Sequence, residues 1–138
     1  KRYKNIFNNL NVLDYGGGNG SNLVNFINKN NSCYLIDFNK DNLPGIKNIG
    51  NDINDLKINQ KFDLIICSHV LEHVSNLKFI VSKLKSHLNL NGIIYIEVPS
   101  EIKAGLSLSS SIGLGKGSPL IQETYWAIPP DHSQKLFR

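Results

Sequence analysis

Apolar and polar positions along the chain fall into short blocks that alternate between two rhythms. Leu10–Tyr15, Cys33–Phe38, Ile46–Ile49, Phe62–Cys67 and Ile93–Val98 are compact apolar runs of strand length. Phe62–Cys67 is nearly continuous in apolar side chains, the pattern of a strand covered on both faces. Leu77, Ile80, Val81, Leu84 and Leu88 recur at helical spacing, one face of an amphipathic helix that Asn91-Gly92 would stop. Ser21 opens another helical stretch, with Leu23, Val24, Phe26 and Ile27 on one side and Ser21 and Asn22 as caps. Pro99 ends the fifth run. Strand, helix, strand in this order predicts right-handed crossovers. The expected fold is α/β: a doubly wound, mostly parallel sheet with helices on both faces.

Past Pro99 the rhythm stops. Residues 100–118 are rich in glycine and serine and read as a lid or flexible loop. Within them Gly113-Leu-Gly-Lys-Gly-Ser lacks the G-x-x-x-x-G-K-S/T spacing of a phosphate loop and no strand directly precedes it. The remaining stretch carries Trp126, Pro129, Pro130, His132 and Phe137.

Composition narrows the class. The chain has 138 residues, 41% apolar and 19% charged, which suits one globular domain over residues 1–138. Two cysteines, Cys33 and Cys67, each inside an apolar run, argue against a disulfide framework and for a reducing, cytoplasmic setting. No apolar run approaches the ~20 residues of a membrane span, and no signal peptide opens the chain. The net charge of +4 comes from scattered lysines without a basic block, so no nucleic-acid partner is expected.

Candidate chemistry concentrates where the first run ends. Gly16-Gly17-Gly18-Asn19-Gly20 places four glycines in five positions, more than a tight turn needs. Without Cβ atoms such a loop lets a ligand approach the backbone, and the following helix presents free N–H groups. Asp37 closes the second strand, where a carboxylate can accept from two vicinal ribose hydroxyls, a feature that also suits NAD. The dinucleotide fingerprint G-x-G-x-x-G would require glycine at Ser21, which disfavours an NAD-binding oxidoreductase.

Asp14-Tyr15-Gly16-Gly17-Gly18-Asn19-Gly20 reads acidic-x-G-x-G-x-G and resembles the first motif of the class I, Rossmann-like S-adenosylmethionine-dependent methyltransferases. The resemblance covers roughly residues 10–100. It implies that Gly16, Gly18 and Gly20 receive the methionine end of S-adenosyl-L-methionine and that Asp14 orders the loop. It further implies that Asp37 holds the ribose, that Phe38 packs on the adenine, and that Asp52 and Ile53 contact its amino group and ring. Ser68-His69-Val70-Leu71-Glu72-His73-Val74 is similar to the segment after the fourth strand in methyltransferases of ubiquinone biosynthesis and sugar modification. There Ser68 and His69 would line the floor under the methionine moiety.

The same segment matches H-x-x-E-H, a zinc-peptidase pattern. That chemistry needs a long helix and a third ligand, so no metal is expected. The D/N/S-P-P-Y/F signature of adenine and glutamine methyltransferases is absent, which points away from amide and exocyclic-amine acceptors. The resemblance therefore implies transfer to oxygen of a small-molecule, sugar or lipid-linked acceptor. His69, His73 and His132 are the candidate general bases, each of which could instead be a structural histidine. His87 reads as a surface residue near the helix end. The alternative function is a cofactor-binding but inactive regulatory or scaffold module.

A complete sheet of this class has seven strands, the last two an antiparallel pair. Five are identifiable here, so the fold reads as truncated after the fifth strand, with an exposed edge that could favour a homo-oligomer.

Overall fold

The computed structural model describes residues 8–27, 29–99, 115–116 and 122–127. Five parallel strands form in the order expected from the apolar runs: β1 (Asn11–Tyr15), β2 (Ser32–Ile36), β3 (Ile46–Gly50), β4 (Phe62–Ser68) and β5 (Leu88–Pro99). Between them lie α1 (Val24–Ile27), entered through a 3₁₀ turn at Ser21–Leu23, and α2 (Leu77–Ser86). Two further strands, β6 (Gly115–Lys116) and β7 (Gln122–Ala127), complete a seven-stranded sheet of order β3-β2-β1-β4-β5-β7-β6.

Alternation along the strands sorts the core onto two faces. From β1, Leu13 and Tyr15 join Ile65, Cys67, Ile94 and Ile96 beneath α2, whose Ile80, Val81 and Leu84 cover them. Val12 packs with Leu23, Leu35 and Ile66 on the opposite face, against Phe26 and Ile27 of α1. Both faces are covered, which is why β4 could afford no polar alternation. Each fully buried aliphatic side chain contributes roughly 1.5–3 kcal/mol by leaving water.

Four local expectations change. The sheet does not stop at five strands: β7 runs antiparallel to β5, with Ile96 opposite Tyr125, and β6 pairs with β7. Short strands next to a Gly/Ser-rich stretch carry too little alternation to be read locally, and partner β5 supplies their order. The rest of the 100–118 lid lies outside the described residues. Asn91-Gly92 does not stop α2, which ends at Ser86 with His87 as its cap, and β5 begins at Leu88 and continues through both residues. The register of β4 against β5 shifts between Phe62 and Leu64 to absorb them. Gly92 sits there because a Cβ would stand 2.8 Å from the Phe62 carbonyl oxygen.

His87 is buried, its Nδ1 2.8 Å from the Gln60 carbonyl, while its own carbonyl accepts from Phe62 N–H. It ties the helix end to the start of β4 and is no surface residue. Finally, neither Ser21 nor Asn22 caps the first helical turn. Gly20 holds that position in the left-handed region, without a side-chain cap bond.

Candidate functional site

The glycine run leaves β1 as a loop of alternating handedness. Gly16, Gly18 and Gly20 have φ of +71°, +63° and +85°, a region that costs other residues about 1–2 kcal/mol. Gly17 serves another purpose: a Cβ there would lie 1.9 Å from Asp14 Oδ2, so the loop folds directly over the carboxylate of its own strand. In front of Gly18 the space is open, with no atom within 4 Å of where its Cβ would be. Gly18 N–H donates to Asp37 Oδ2 at 2.8 Å, and Asn39 N–H donates to Asp37 Oδ1 at 2.8 Å. The loop is thereby tied across to the end of β2. Each Asp37 oxygen keeps a second lone pair for a ligand.

Asp14 is fully buried. Asn22 Nδ2 donates to its Oδ1 at 3.3 Å, and Oδ2 has no hydrogen-bond partner among the described residues. No salt bridge reaches it among the described residues. Burial pushes its carboxyl up from 3.8 to about 6; the Asn22 bond opposes this and the charge of Asp37 adds to it.

Beside the loop, at the carboxyl edge of β1, β2 and β3, opens a cleft of about 500 Å³. Tyr15, Gly16, Asp37 and Phe38 form one side, Asn51, Asp52 and Ile53 the next, and Val70, His73 and Phe79 the far wall. Phe38 is 79% exposed, a ring held in water at the cleft mouth. Asp52 caps the 3₁₀ turn Ile53–Asp55, its Oδ1 accepting from Asn54 N–H at 2.9 Å. Asp55 accepts from the N–H groups of Asn51 and Asp52, and these bonds hold its carboxyl below the usual range. Burial also raises the Tyr15 hydroxyl to about 12, keeping it a neutral donor. An apolar slot with a few convergent acceptors is the usual construction of a small-molecule site.

At the end of β4 the chain turns sharply. Ser68 Oγ donates to Glu97 Oε2 at 2.8 Å, and His69, at φ +52°, donates its N–H to the Glu97 carbonyl at 2.9 Å. A 3₁₀ turn at Leu71–His73 follows. Glu72 Oε1 lies 3.8 Å from His69 Nδ1 and 3.9 Å from His73 Nε2. Cys67, directly before, is fully buried, and that burial raises its thiol strongly, which makes it a packing residue and no nucleophile. Among the described residues no group of three or more His, Cys, Asp and Glu is arranged to hold a metal ion. No helix among them is long and apolar enough to cross a membrane.

The glycine loop, the Asp37 carboxylate and the cleft thus meet at one sheet edge. A family model for a methyltransferase domain matches residues 2–134. The chain belongs to that family. The methyltransferase domain is 30% identical over 115 residues to the ubiquinone biosynthesis O-methyltransferase of Rickettsia typhi, covering 75% of this chain and 46% of that protein. Against the enzyme of the same name from Rickettsia canadensis it is 34% identical over 64 residues, 46% of this chain and 27% of that one. The chain thus spans less than half the length of these curated relatives. Its fold matches the Burkholderia thailandensis 1,6-didemethyltoxoflavin-N1-methyltransferase, solved with S-adenosylhomocysteine, at a TM-score of 0.70 and 13% identity, covering 88% of this chain and 72% of that one. The fold is the class I, S-adenosylmethionine-dependent one.

In this methyltransferase domain the cleft gathers Gly16, Asp37, Phe38, Asp52, Ile53 and His73. Asp14, Gly18 and Gly20 lie under or along the loop beside it, while Ser68 and His69 stand at the β4 end, engaged with Glu97. His132 lies outside the described residues. Val70 and Phe79 also line the cleft, and Asn22 and Glu72 stand against Asp14 and His73; none of the four is expected as a site residue from the sequence. Asn22 is no cap: its side-chain amide donates to Asp14 beneath the loop. Phe79 falls off the apolar stripe of α2, and a large ring on a polar face was the available signal.

Proposed function

We propose that this domain binds S-adenosyl-L-methionine along the glycine loop and cleft, and that the protein transfers its methyl group to an oxygen of a small-molecule, sugar or lipid-linked acceptor. One observation carries the reading: the space in front of Gly18 is open in a loop that folds over the buried carboxylate of Asp14, whose Oδ2 has no hydrogen-bond partner among the described residues, and that is tied to a second carboxylate with spare acceptor capacity, Asp37. A ligand with a positively charged end and a vicinal diol fits that pair. Gly16, Gly18 and Gly20 admit the cationic end to the backbone, and Asp14 compensates its charge from beneath. Asp37 accepts from the ribose hydroxyls, Phe38 and Ile53 sandwich the base, and Asp52 accepts from its amino group. Ser68 and His69 form the floor near the reacting centre.

When bound, the cofactor supplies a methyl group on a sulfonium, which is already activated. The protein's own work is therefore placement of the acceptor and exclusion of water. A hydroxyl acceptor gains from a base; His73, which lines the cleft, and His69 near it are the candidates among the described residues, and His132 is a third by sequence alone. Transfer to oxygen is supported by the two relatives named as O-methyltransferases.

Calorimetric titration with S-adenosylhomocysteine and, separately, NAD tests the assignment. Binding of the first and none of the second is expected; NAD binding alone overturns it. Turnover of radiolabelled S-adenosylmethionine against a panel of phenols and sugars then tests catalysis, and tight cofactor binding with no product across the panel would favour a non-catalytic module.

A further inference from the structure

Glu72 has no place in the cofactor site, yet its setting is unusual. Its side chain is 6% exposed, and Oε2 is buried without a hydrogen-bond partner. Among the described residues its ion-pair partners are two imidazoles, His69 Nδ1 at 3.8 Å and His73 Nε2 at 3.9 Å, both facing the same oxygen, Oε1. Folding alone gives little reason to bury an acid on a short 3₁₀ turn with neither lysine nor arginine beside it. A buried polar group left unmatched calls for a physical reason, and a catalytic role is one. Both separations exceed a direct hydrogen bond and lie in ion-pair range, so the carboxylate acts on the rings through its charge.

That charge distinguishes the two nitrogens of each ring. A carboxylate favours the tautomer that turns an N–H toward it, and the nitrogen facing away becomes the basic one. The nitrogens that face Glu72 are Nδ1 of His69 and Nε2 of His73. His73 is also the ring that lines the cleft, with its side chain 79% exposed.

We propose that Glu72 is a positioning residue: it fixes the tautomers of His69 and His73 and is the counter-charge for the imidazolium formed when His73 takes a proton. This rests on the reading of the cleft as a methyl-transfer site with a hydroxyl acceptor. In the step concerned, the acceptor O–H proton passes to His73 Nδ1. The oxygen's electron pair forms the new O–C bond, and the pair of the breaking C–S bond stays on sulfur. One carboxylate serves two rings, so it balances one imidazolium at a time.

The test is long-range ¹H–¹⁵N correlation on the full chain with labelled histidine, assigned with His69→Gln and His73→Gln. The wild type should show single tautomers, protonated at Nδ1 in His69 and at Nε2 in His73. In Glu72→Leu both signatures should be lost to tautomer mixtures, with S-adenosylhomocysteine binding reporting an intact cleft. Opposite or mixed tautomers in the wild type overturn the proposal, as does their persistence in Glu72→Leu. If that variant fails to fold, the wild-type spectrum decides alone. Failure of the wild type to bind S-adenosylhomocysteine would instead overturn the functional reading and leave the tautomer result standing.

Discussion

Replacing Asp14 by asparagine removes a buried charge that meets one amide donor, Asn22, and no salt bridge among the described residues. The carboxyl titrates at about 6 in the folded protein against an ordinary 3.8, mainly because it is buried. Between these values the folded chain holds a proton that the unfolded chain has released, so stability falls as pH rises through this window and is flat above it. The gap corresponds to roughly 3 kcal/mol at neutral pH, at about 1.4 kcal/mol per tenfold change in proton affinity. Near pH 4 and below, wild type and Asp14→Asn should be similar in stability. From pH 4 to 7 the variant should gain steadily, ending about 3 kcal/mol more stable, on the order of 10 °C in Tm for a domain of this size. Thermal unfolding of both proteins over pH 4–8, taken as a difference so that other groups cancel, measures it. A variant that is less stable at pH 7, or a difference that does not change with pH, refutes the argument. A cationic ligand should narrow the gap by stabilising the wild type alone.

Asp37→Ala should weaken S-adenosylhomocysteine binding by about 1–3 kcal/mol, roughly 5- to 150-fold, by calorimetry; unchanged affinity would place the ribose elsewhere. Gly18→Ala faces open space at φ +63° and should cost the fold only about 1–2 kcal/mol while sharply reducing cofactor binding. Gly17→Ala drives a methyl into Asp14 and should destabilise the fold more, so the reverse ranking in urea denaturation would show that the loop is built differently. Leu84→Ala, in the core under α2, should lower stability by about 2–5 kcal/mol with an unchanged denaturant slope, and a loss below 1 kcal/mol would mean α2 does not seal that face.

Local pattern was enough for the parallel half of the sheet and for the order of Asp14, the glycines, Asp37 and Asp52, because strand periodicity and left-handed turns are properties of neighbouring residues. What depends on partners distant in the chain was not legible. β7 exists through its register on β5, and β5 runs through Asn91 and Gly92 because β4 allows a shift there. His87 is buried by the Gln60 carbonyl it meets. The same division holds within the site. Sequence spacing points to the acids and histidines, but which carboxylate oxygen stays unmatched is a matter of packing. Asp14 and Glu72 each keep a buried oxygen without a hydrogen-bond partner among the described residues, and only the assembled sheet and its turns decide that, by excluding water from atoms that water would otherwise serve.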